Sequence, residues 1–166
     1  MVTDIATDNK ITQNFIKKIL VGVDGSDKSF EAAEYAIELT EKYKSELLLI
    51  VNFLEIEPWY HGEYAYSWGK PEVIEKVYKN QKQEMQKILK KIKAKADEIH
   101  LNSKTEIIMT PRTTNSSIAL VDYSEKNDID LIVVGTRGST GFKKLLLGSV
   151  ASGVVTYAHC PVLVIK

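Results

Sequence analysis

An α/β fold, with a parallel sheet covered by helices on both faces, is predicted by two hydrophobic periods that alternate along the chain. Short runs such as Leu47–Val51 and Leu131–Val134 have the unbroken apolar character of strands buried on both faces. Between such runs lie stretches whose inward-facing residues recur every three or four positions, as Phe30, Ala33, Ile37 and Thr40 do. Turn residues separate the two kinds of segment, for example Asp24-Gly25-Ser26 and Asn127-Asp128. At 166 residues the chain has the size of one domain with a substantial core.

Taken in order, residues 1–16 are polar and read as a disordered tail, leaving 17–166 as the folded domain. Lys18 to Asp24 is the first strand. Ser26 and Asp27 are candidate caps for a helix over Lys28 to Tyr43, and Ser45 to Phe53 is the second strand. Leu54 to Lys70 has no clean period and holds Trp59, Tyr60, Tyr64, Tyr66 and Trp68, so it is expected to be a long loop. Pro71 opens a helix running to about His100, with Met85, Ile88, Leu89, Ile92, Ala96 and Ile99 on one face and a lysine-rich wet face elsewhere. Lys104 to Thr110 forms the third strand, Ser117 to Lys126 a helix, and Asp130 to Val134 the fourth strand. A last helix begins at Gly148-Ser149, with Val150, Ala151, Val154 and Ala158 in its period. Pro161 to Ile165 is the last strand.

Composition excludes several functions. Lys plus Arg and Asp plus Glu number 22 each, so no global field draws the chain to nucleic acid or an anionic membrane. The single cysteine, Cys160, forbids an internal disulfide and suits a reducing, cytoplasmic setting; it is expected to be a packing residue. No window approaches the run of about 18 apolar residues that spans a membrane. His61, His100 and His159 lack metal-ligand spacing, and no metal site is expected on the protein itself. A serine hydrolase is set aside because no G-x-S-x-G elbow occurs.

The functional signal lies in Leu131 to Ser149, LIVVGTRGSTGFKKLLLGS. A buried strand stops at Gly135, glycines follow at Gly138, Gly141 and Gly148, and a helix then starts. Glycines let a ligand approach the backbone, and the unpaired amides of a helix start favour an anion there. Ser149 is expected to add a hydroxyl at the cap, and Arg137, Lys143 and Lys144 add positive charge nearby. The spacing fits neither the Walker A loop nor the dinucleotide fingerprint. Asp24, ending the first strand, is a candidate partner for ribose hydroxyls.

The spacing G-x-x-G-x9-G-S/T resembles the signature of the universal stress protein family, in its nucleotide-binding branch. The likeness extends to Val21-Gly22-Val23-Asp24-Gly25-Ser26 and to the ending Ala158 to Ile165, and it covers about Lys17 to Lys166. It implies a Rossmann-like, adenine nucleotide alpha hydrolase-like sheet of five strands in the order 3-2-1-4-5. In that order Asp24 and Gly135 meet at the switch point, where ligands bind. The resemblance further implies that Gly22, Val23 and Val51 wall the adenine, with Val134 beside them. Gly135, Gly138, Gly148, Ser149 and Val150 would offer amides to the phosphates, and Arg137, Ser139 and Thr140 would reach the terminal phosphate. The implied ligand is ATP or another adenine nucleotide, with Mg2+ bridging its phosphates, and the implied state is a homodimer through Pro161 to Lys166. One departure is Arg112-Thr113-Thr114-Asn115, where the family often has a Gly-x-Pro turn.

The leading function is therefore an adenine-nucleotide-binding regulatory protein of stress responses. The alternatives are a slow or partner-dependent ATP hydrolase, for which no water-orienting residue is identified, and a nucleotide-free dimeric scaffold, against which the intact glycine signature counts.

Overall fold

In the computed structural model, residues 16–56, 71–111, 114–136 and 147–166 are described. The elements run β1 (Lys18–Gly22), α1 (Asp27–Tyr43), β2 (Leu47–Ile56), α2 (Pro71–Glu98), β3 (Ser103–Pro111), α3 (Ser116–Lys126), β4 (Leu131–Gly135), α4 (Ser149–Tyr157) and β5 (Val162–Ile165). The five strands form one sheet in the order β3-β2-β1-β4-β5, and every pairing is parallel.

Each strand contributes alternate residues to two separate cores. Ile19, Val21, Leu48, Ile50, Leu131 and Val133 pack under α1 and α2, against Ala32, Ala33, Ala36, Leu89, Ile92 and Ala96. Leu20, Leu49, Val51, Ile132 and Val134 pack under α3 and α4, against Leu120, Val121, Ala151 and Val154. This double burial is why the strands read as continuous apolar runs rather than as alternating ones.

The sequence boundaries shift at functionally relevant points. β1 ends at Gly22, although the Val23 amide still donates to the Val51 carbonyl at 2.9 Å. β2 continues through Leu54, Glu55 and Ile56, which were expected to begin a loop. Their pairing with Met109, Thr110 and Pro111 of β3 supplies the ladder. The rest of the aromatic stretch, residues 57–70, lies outside the described residues, as do the tail at 1–15 and Arg112 and Thr113. The β2–β3 ribbon therefore projects past the tip of β1. Ser26 caps α1, accepting from the Ser29 amide, and Asn115 caps α3, accepting from the Ser117 amide. α2 stops at Glu98, before His100 turns to φ 58°.

Candidate functional site

Two turns meet where the sheet reverses its direction of growth. At the tip of β1 the half-buried Asp24 closes on its own turn: its Oδ1 accepts from the Ser26 amide at 3.0 Å and the Ser26 hydroxyl at 2.6 Å. Gly25 follows with φ 86°, and its amide donates to Ser29 Oγ at 3.1 Å. The turn thus holds one carboxylate oxygen in a fixed place at the head of α1.

At the tip of β4, Gly135 runs directly beneath α1. A Cβ there would lie 2.7 Å from the backbone carbonyl oxygen of Lys28, so only glycine admits this approach. The chain leaves through buried Thr136, whose amide donates to the Ile165 carbonyl at 2.7 Å. It returns at Gly148, whose amide donates to the Thr136 carbonyl, also at 2.7 Å. That bond pinches the loop shut at its base. It also removes Gly148 from the expected phosphate donors.

α4 starts immediately beyond. Gly148 is its cap, with φ −61° and ψ 160° and no side-chain hydrogen bond, and no acidic residue occupies the first turn. Ser149 is therefore the first helical residue and not the cap, because Gly148 carries the extended backbone that a cap requires. Ser149 and Val150 are exposed, and first-turn amides have no acceptor within their own helix. A helix start of this kind can accept an anion.

The expected adenine wall is divided by the sheet. Val23 belongs to the core under α1 and α2, whereas Val51 and Val134 belong to the core under α3 and α4. A Cβ on Gly22 would point at Leu120 and Val134, on the Val51 side. Strand alternation puts the side chains of Val23 and Val51 on opposite faces, so they do not form one surface. Arg137, Gly138, Ser139 and Thr140, with Gly141, Lys143 and Lys144, lie outside the described residues.

One residue that sequence reasoning passed over sits at the same tip. Asn52 is 3% exposed, and its Nδ2 donates to the Val23 carbonyl at 2.6 Å. Its Oδ1 is buried and has no partner. The available signal was a polar residue interrupting the apolar run from Leu47 to Leu54.

Burial, followed by the charge of Asp130, raises the Cys160 thiol, and Cys160 packs against the α3–α4 core as a small apolar residue would. His159 lies 4.0 Å from Glu125. Among the described residues no group of three or more His, Cys, Asp or Glu side chains could hold a metal. A cavity of about 570 Å³ opens at the far, amino end of the sheet, lined by Lys18, Leu49, Lys93, Lys104, Glu106 and Tyr123. Two of its lysines are engaged, Lys18 by the Asn127 carbonyl at 2.9 Å and Lys93 by Asp97 at 2.6 Å.

The sequence model of the Universal stress protein family matches residues 16–166. The chain belongs to the universal stress protein family. A universal stress protein of Methanocaldococcus jannaschii is 38% identical over 93% of this chain and 84% of its own length. Universal stress protein YxiE of Bacillus subtilis is 30% identical over 90% of this chain and 98% of its own. Among solved structures, the universal stress protein UspA from Lactobacillus plantarum superposes with a TM-score of 0.70 at 25% identity, over 91% and 98% of the two chains. Three universal stress proteins of the same fold were solved with adenine nucleotides. One is in complex with cAMP (TM-score 0.62), one from Archaeoglobus fulgidus with dAMP (0.60), and one from Arabidopsis thaliana with AMP bound (0.61). These three are 19–20% identical to this chain and share its fold. The five-stranded 3-2-1-4-5 sheet is thus the architecture of this family member, as its sequence implied.

Proposed function

We propose that this universal stress protein binds an adenine nucleotide, ATP foremost, at the switch point between β1 and β4, and acts as a regulatory homodimer in the cytoplasm. The observation that carries the reading is the start of α4, which has neither a side-chain cap nor a first-turn acid, beside the fixed carboxylate of Asp24. A phosphate satisfies the amides of Ser149 and Val150 there, with the Ser149 hydroxyl as a further donor. Gly135, Gly138, Arg137, Ser139 and Thr140 belong to the same phosphate loop by sequence. Magnesium would be held through the phosphates, since it keeps most of its waters and takes few protein ligands. The nucleotides in the related structures support the ligand class. Among the described residues β5 is the edge of the sheet and pairs with β4 alone, and exposed Val155 and Tyr157 lie on the neighbouring α4, which supports pairing of two copies there.

The test is a calorimetric titration of nucleotide-stripped protein with MgATP, beside Gly138→Val. Saturable binding by the parent and its loss in a folded variant are the expected result. A folded parent that binds neither MgATP nor AMP refutes the reading, and sedimentation velocity of the same sample checks the dimer.

A further inference from the structure

α4 is short and lightly anchored. Of its nine residues, the buried ones are Ala151 and Val154. A third anchor is a residue with no side chain. Gly153 lies so close to Ser117 of α3 that a Cβ on it would sit 2.3 Å from Ser117 Oγ and 2.6 Å from Ser117 Cβ. Gly153 is inside a regular helix, where no special backbone angle calls for glycine and alanine would be the better helix former. The close approach to α3 is therefore what glycine serves at this position.

Ser117 is itself held in place. It is 1% exposed, and its amide and its hydroxyl both donate to Asn115 Oδ1, at 3.0 and 2.9 Å. Asn115 caps α3 and follows Thr114, whose amide donates to the Pro111 carbonyl at 2.8 Å. A continuous chain of contacts thus runs from the end of β3, through the α3 cap, to the second turn of α4. Its last member is four residues from Ser149, about 6 Å along the helix. Asn115 also ends the stretch Arg112-Thr113-Thr114-Asn115, where the sequence departs from a Gly-x-Pro turn.

We propose that the Asn115–Ser117–Gly153 contact positions the start of α4 for the phosphates, so that nucleotide affinity is set through the cap of α3. This inference rests on the nucleotide reading above and adds what holds the phosphate-binding end of that site in place. The three are positioning residues and are assigned no contact with the ligand. First-turn amides bind an anion by converging on it, and hydrogen bonds weaken steeply with misalignment. Carbon atoms in contact stand about 3.5–4.0 Å apart, so a methyl at position 153 would push α4 from α3 by about 1 Å.

The experiment compares calorimetric titrations of the full chain with MgATP and with adenosine, which offers base and ribose without phosphates. The variants are Gly153→Ala and Gly153→Ala/Ser117→Gly, which moves the glycine to the other side of the contact and removes both crowding atoms. Gly153→Ala should bind MgATP about tenfold more weakly, the loss expected for one charge-assisted hydrogen bond, and adenosine within about twofold of the parent. The double variant should recover MgATP binding to within about threefold of the parent. A folded Gly153→Ala that binds MgATP as the parent does overturns the positioning role and leaves the nucleotide reading intact. An equal loss for MgATP and adenosine overturns it also, as does a folded double variant no tighter than the single one. A folded parent that binds neither ligand refutes the nucleotide reading and this inference with it. Should adenosine bind too weakly to titrate, rescue by the double variant decides alone. Should Gly153→Ala fail to fold, Ser117→Gly takes its place: it opens the contact instead of crowding it, MgATP affinity should again fall, and unchanged affinity overturns the proposal.

Discussion

Gly135→Ala tests the packing that builds the switch point. The new methyl would sit 2.7 Å from the Lys28 carbonyl oxygen, 2.8 Å from its carbonyl carbon and 3.1 Å from its Cβ. The first two atoms are helix backbone, so relief requires the head of α1 to move. The rest of α1 resists, because Ala32, Ala33 and Ala36 are almost completely buried against the sheet. Overpacking of this kind costs about 1–3 kcal/mol, and the rigid partner places Gly135→Ala at about 2–3 kcal/mol. For a chain of this size each kcal/mol lowers Tm by about 2–4 °C, giving a drop of about 4–12 °C. Gly22→Ala is the matched control. Its methyl would lie 3.2 Å from Leu120 Cδ2, the end of a side chain that can rotate away, and should cost less than about 1 kcal/mol. Urea unfolding followed by circular dichroism, with m compared between variants, measures both. The reasoning is refuted if Gly135→Ala is no less stable than Gly22→Ala at unchanged m.

Two further perturbations separate structure from function. Asp24→Asn keeps an Oδ1 acceptor for the Ser26 amide and hydroxyl, so its stability should stay within about 0.5 kcal/mol of the parent. Its affinity for MgATP should fall about tenfold, the charged acceptor being the stronger one; unchanged affinity would remove Asp24 from the ribose. At the far end of the sheet, burial, then the 2.6 Å hydrogen bond to Glu106 and that carboxylate's charge, raise the Tyr123 phenol above its ordinary value of 10.0. A proton held more tightly in the folded state stabilises fully below pH 10 and is lost as pH rises beyond it. Stability between pH 9 and 11 should therefore fall more steeply in the parent than in Tyr123→Phe, and parallel urea midpoints would contradict this.

The sheet was legible because its strands are buried on both faces: Leu47–Val51 and Leu131–Val134 can be nothing else at that length. The helices were legible from their period, and the start of α1 from Ser26, one of its two candidate caps. Strand order was not contained in any local pattern and came from the family resemblance. The extension of β2 through Ile56 was missed because its support lies in β3, some fifty residues away in sequence (Leu54 with Met109). The cap of α4 was misplaced by one residue because Ser149 has the preferred side chain, whereas Gly148 has the required backbone. Val23 and Val51 were grouped on one wall because they end adjacent strands, and adjacency says nothing of which face a side chain takes.

The same alternation explains why Asn52 is polar at all. Leu48 and Ile50 precede it on its own face of β2, both fully buried, so an apolar residue would continue that core. But β1 ends at Gly22, the Val51 carbonyl takes the Val23 amide, and the Val23 carbonyl then meets no further rung. An apolar side chain at position 52 would leave that carbonyl to be satisfied by something else. The carboxamide satisfies it through Nδ2 and, in doing so, transfers the vacancy to its own Oδ1. A hydroxyl could have donated to Val23 without presenting so directional a second acceptor. The amide thus closes the end of the β1 ladder, and a polar residue interrupts the apolar run of β2 because the β1–β2 register stops at Gly22 and Val51.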